Sequence, residues 1–110
     1  MENKEHYLLS EKIGVKANEL EKILSVFTKY PHVEKVVLYG SRALGNFKPY
    51  SDIDITLFGK TLDLKSQHKL EMDLDDIHLP YTFDVSIFHT IQNQELIDHI
   101  LRVGVLLYDH

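Results

Sequence analysis

The chain has 110 residues, of which 44% are hydrophobic and 26% charged, with a net charge of −5 and no cysteine. That length accommodates one hydrophobic core in a soluble globular chain. The missing cysteine excludes disulfides and thiolate metal sites, and the acidic balance argues against a surface that grips nucleic acid unaided. Nucleotide binding stays open, because a divalent cation can supply the positive charge a triphosphate needs.

Taken in chain order, residues 1–12 show no clear hydrophobic period and are expected to fray or pack loosely. From Lys16 onward the apolar residues Ala17, Leu20, Ile23, Leu24, Phe27 and Tyr30 form one stripe of an amphipathic helix, bounded by Pro31. Residues 33–39 read as a strand whose VVLY run suits burial on both faces. Gly40 and Ser41 follow, SRAL forms a short helix ending at Gly45, and NFKPYS is a loop.

Residues 52–58 alternate as a second strand. Ile53, Ile55 and Leu57 take one face, and Asp52, Asp54, Thr56 and Phe58 take the other. Residues 62–79 read as a helix with Thr61 or Asp63 as its cap and Pro80 beyond its end. Residues 81–88 repeat the alternation, with Phe83, Val85 and Ile87 opposed to Thr82, Asp84 and Ser86. A last helix spans about residues 93–103, Gly104 stops it, and VLLY forms either an edge strand or an extended tail. The order predicts an α/β or α+β domain: a small mixed sheet flanked by helices, with the second and third strands parallel across their helical crossover.

If both alternating strands turn their aliphatic faces to one core, Asp52, Asp54 and Asp84 emerge together on the opposite face. Strands about 4.8 Å apart allow those carboxylates to converge on one ion. Clustered carboxylates repel, by ~4 kcal/mol for a pair 4 Å apart at an effective dielectric of 20. Such a group protonates or binds a cation, and an all-oxygen ligand set favours Mg²⁺ or Mn²⁺ over zinc. Two ions sharing Asp52 and Asp54 would serve a phosphoryl transfer, with Asp84 as the third ligand and the acceptor of the attacking hydroxyl's proton. Gly40 lets backbone approach a phosphate, and the helix start at Ser41 favours an anion. A D-x-D alone is as readily the solvated edge of a sheet; its company here makes it specific.

The remaining polar residues read more blandly. Arg42 and Lys48 fit phosphate contacts or surface charges equally, and Tyr39 and Phe47 are of a type that stacks on adenine, although Tyr39 suits the core better. The seven histidines show neither H-x₃-H nor HExxH spacing and are read as surface or satisfied core residues. Asp73, Asp75 and Asp76 form an acidic patch on the helix MDLDDIHL, read as a solvated face.

Gly40-Ser41, ten residues, Asp52-x-Asp54 and then Asp84 on a later strand resemble the nucleotidyltransferase superfamily that includes DNA polymerase β. The phrases LYGSRALGNFKPYSDIDITL, LPYTFDVSIF and ELIDHILRVGVLLY resemble its minimal bacterial and archaeal members. The likeness sets residues 15–110 apart as the nucleotidyltransferase domain, with 1–14 as an N-terminal extension. It implies nucleotide-phosphate contacts at Gly40 and Ser41, Mg²⁺ ligands at Asp52, Asp54 and Asp84, and ATP as co-substrate. It also implies an antitoxin paired with a small helical HEPN ribonuclease toxin, transferring AMP to a tyrosine hydroxyl of that toxin. Larger relatives carry a further domain that holds the acceptor, so a second polypeptide or a second copy of the chain is expected to supply it. An antitoxin that acts by binding with a vestigial site is the alternative, as is a transferase acting on a small molecule or nucleic acid. No apolar run reaches the ~18 residues that span a bilayer, and MENKEHYLLS lacks the basic-then-apolar order of a signal peptide. A cytoplasmic location without membrane association is expected.

Overall fold

The structure is a computed structural model, described here for residues 4–110. Four strands form one sheet in the order β3-β2-β1-β4: β1 (Lys35–Tyr39), β2 (Ile53–Phe58), β3 (Phe83–Ile87) and β4 (Val105–Asp109). β1 runs antiparallel to β2 and β4, and β2 runs parallel to β3, so the sheet is mixed as expected. The helices are α1 (Lys4–Ile13), α2 (Ala17–Phe27), α3 (Ser41–Leu44), α4 (Leu64–Asp76) and α5 (Gln94–Val103). Among the described residues no helix is long and apolar enough to cross a membrane.

One face of the sheet is dry. Val36, Leu38, Ile55 and Leu57 are wholly buried and Ile53 and Ile87 nearly so, packed with Leu20, Ile23 and Phe27 of α2 and Leu70 and Leu74 of α4. The helix ends follow local chemistry. The Asp63 carboxylate accepts the Ser66 N–H at 2.9 Å and caps α4, and Asn93 caps α5 by accepting from the Leu96 N–H at 3.1 Å. VLLY resolves as an edge strand against β1, with a register shift opposite Val36 and Val37.

Two expectations change. Over residues 4–12 the chain is helical rather than frayed: α1 packs on α2 and α3, Ile13 enters the core, and the buried Ser10 hydroxyl donates to the Tyr7 carbonyl at 2.7 Å. Its stripe is weak because only a short length of the helix is covered; residues 1–3 of that expectation lie outside the described residues. The acidic patch is also not wholly solvated. The Tyr30 phenol donates to Asp73, and burial together with that carboxylate pushes Tyr30 up to about 12. Asp75 and Asp76 are exposed.

Candidate functional site

The second face of the sheet carries the polar cluster. Asp54 sits in register with Tyr39 on one side and Asp84 on the other, which brings the two carboxylates together by strand pairing alone. Asp52 stands just ahead of β2, exposed. Burial raises Asp54 from 3.8 to about 6, and Asp84 and then Asp52 add to the rise through like-charge repulsion. All three carboxylates therefore share one electrostatic neighbourhood. Among the described residues, no three His, Cys, Asp or Glu side chains close into a metal cage.

The donor chemistry nevertheless suits a hard cation. The oxygens are carboxylates, and Asp54 is a half-buried carboxyl held under two like charges, a strain that a divalent ion relieves. Tyr39 borders the same site. Its hydroxyl hydrogen-bonds Ser86; burial pushes the phenol up, that bond opposes the rise, and Asp84 and Asp54 add to it.

Gly40 supplies the close approach. It adopts φ 73 and ψ −153 immediately after β1, and a Cβ built there would lie 2.3 Å from Asp54 Oδ2. Only glycine lets the turn sit against that carboxylate. α3 then starts at Ser41, and Gly45 in the left-handed conformation ends it, its N–H donating to the Ser41 carbonyl at 2.9 Å. The turn and the carboxylate pair therefore abut, with Gly40 between them.

Arg42 is not a phosphate contact. Its side chain is fully buried, and its guanidinium donates to the carbonyls of Ile13 (2.9 Å), Gly14 (3.1 Å), Ser51 (3.0 Å) and Pro49 (3.1 Å). The rings of Phe47 and Tyr81 stack on it with centroids at 5.1 and 4.9 Å. The Tyr81 hydroxyl in turn donates to Glu19 at 2.7 Å, and that carboxylate also accepts the Lys16 N–H. Arg42 thus ties the α1–α2 junction to the loop that delivers Asp52. Phe47 packs against Arg42 and Gly14, and Tyr39 is buried, as its core reading anticipated. Lys48 stays exposed.

The residue that sequence reasoning missed is His99. The Gly40 N–H donates to its Nε2 at 3.1 Å, a contact across 59 positions that no histidine spacing announces.

The overall fold recurs in solved structures. A chain of a toxin–antitoxin crystal structure with AMP-PNP superposes with a TM-score of 0.67 at 24% identity, covering 83% of this chain and 73% of that one. A chain from a tri-AMPylated Shewanella oneidensis HEPN toxin in complex with MNT antitoxin gives 0.62 at 21% identity, covering 84% and 71%. A putative nucleotidyltransferase from Sulfolobus solfataricus gives 0.54 at 19% identity, covering 99% and 91%. At those identities the likeness establishes the fold alone, an α/β domain around a mixed sheet. Among curated proteins none matches the chain. Residues 21–110 match the family "Polymerase beta, Nucleotidyltransferase", and the chain belongs to it.

Proposed function

We propose that this chain is a Mg²⁺-dependent nucleotidyltransferase that moves AMP from ATP to a tyrosine hydroxyl of a partner HEPN-type toxin. The observation that carries the reading is the register pairing of Asp54 with Asp84, set directly against the Gly40 turn. Family membership supports the transferase class. Relatives of the same fold include a toxin–antitoxin structure with AMP-PNP and one with a tri-AMPylated toxin, which favours a nucleotide donor and a protein acceptor.

The Gly40–Ser41 turn receives the triphosphate, with Gly40 allowing the close approach. Asp52, Asp54 and Asp84 would hold Mg²⁺, which when bound neutralises phosphate charge and the repulsion among these carboxylates. The acceptor hydroxyl oxygen attacks the α-phosphorus, the bond to the β-phosphate breaks, and pyrophosphate leaves. Asp84, the exposed member of the strand pair, takes the hydroxyl proton. The half-covered sheet face admits the acceptor from solvent.

The test is to incubate the chain with the helical protein encoded beside it, Mg²⁺ and labelled ATP, and to locate the label by mass spectrometry. Wild type should place AMP on a tyrosine of the partner, and Asp52→Asn/Asp54→Asn should place none. Full neutralisation of the partner without any label would assign the function to binding alone.

A further inference from the structure

We propose that His99 is a positioning residue for the phosphate turn: by accepting the Gly40 N–H it sets where that turn stands over Asp54. The inference rests on the phosphate reading of Gly40 and Ser41.

The bond lies where the chain has little slack. On one side the Asp54 carboxylate approaches so closely that no Cβ fits on Gly40. On the other, the Gly40 N–H is held at 3.1 Å by His99 Nε2, which accepts through its lone pair and so places the ring proton on Nδ1. The turn is therefore gripped between a β2 carboxylate and an α5 imidazole.

α5 is itself fixed on β1. Ile100, the next residue, is buried, and Gly104 lets the helix end approach β1 so closely that a Cβ there would meet Val37 Cγ1 at 2.6 Å. The His99 ring also packs edge-on to Tyr39, with centroids 6.2 Å apart and an interplanar angle of 82°. Both neighbours belong to β1, the strand that leads directly into Gly40, so helix, imidazole and turn are packed together.

The contact also divides labour within the turn. With the Gly40 N–H engaged by His99 and those of Ala43, Leu44 and Gly45 engaged by the Gly40 and Ser41 carbonyls, Gly40 contributes proximity rather than a donor. An incoming phosphate then meets the turn at Ser41.

The experiment compares wild type, His99→Ala and His99→Gln by titration calorimetry with Mg²⁺ and AMP-PNP, alongside thermal melting and the Gly40 amide resonance. His99→Ala should weaken binding about tenfold, as expected for one lost hydrogen bond, with the melting temperature nearly unchanged and the Gly40 amide shifted. His99→Gln, whose side-chain oxygen can accept the same N–H, should recover most of the affinity. Wild-type affinity in His99→Ala, no recovery in His99→Gln, or affinity that falls only in step with melting temperature would each overturn the assignment. If wild type itself fails to bind AMP-PNP, the phosphate reading falls and takes this inference with it. Binding by wild type with unaltered variants sinks the inference alone.

Discussion

The two faces of one sheet are built from the same strands and behave as different materials. Ile53, Ile55 and Leu57 of β2 point into a sealed apolar core, while Asp54, one step along the same strand, is held half-buried beside Asp84. The first face is covered by α2 and α4, whereas α5 packs on the second along β1. Incomplete cover is what allows carboxylates to gather without being driven fully neutral. The core face supplies the free energy that holds the polar face in a geometry it would not choose.

That division can be broken from the core side first. Ile55→Ala removes a wholly buried side chain from the middle of the sheet and should cost about 3–4 kcal/mol in chemical denaturation. Nucleotide affinity of the fraction that stays folded should change little. Next in size is Gly40→Ala, which forces a Cβ into Asp54 at a positive φ. Transfer should fall about a hundredfold, the scale of a 1 Å misplacement. The control is Gly45→Ala, where nothing lies within 4 Å of the new carbon; only a stability loss of about 1 kcal/mol is expected there.

The smallest effect is the most diagnostic of the polar face. Burial, with Asp84 and Asp52 nearby, pushes Asp54 up from 3.8 to about 6 in the folded chain. The folded state therefore holds this proton more tightly than the unfolded state does, so ionisation destabilises the fold as pH rises from about 4 through about 6. Asp54→Asn should raise stability at pH 7 by about 1 kcal/mol once partial solvent screening is allowed for. The gain should vanish near pH 4 in melts across that range, and the same variant should be inactive. Added Mg²⁺ should raise the melting temperature of wild type but not of Asp54→Asn.

Much of this was legible in the residues. Alternation with period two in 52–58 and 81–88 is sufficient to put Asp54 and Asp84 on one face, and the helical crossover between them implies the parallel register that pairs them. Asp63 as cap and Gly45 as helix stop are likewise local chemistry. Arg42 was not legible, because its burial depends on carbonyls from residues 13–14 and 49–51 that converge only in the fold. His99 fails the same way: one side chain reaching one backbone N–H leaves no spacing to read. α1 was hidden because its core contribution is small, with Ile13 buried at its very end.

The Arg42 fork has a consequence for how the molecule breathes. A guanidinium whose acceptors come from two distant segments makes their opening a single event, since releasing either strands a buried charge. The Val15 amide bonded to Ser10, and the Lys48 and Ser51 amides bonded across their own turn, should then exchange with deuterium at a common rate. The approach to Asp52 is thereby as slow to open as the helix junction thirty-odd residues before it, and the loop behaves as part of the scaffold.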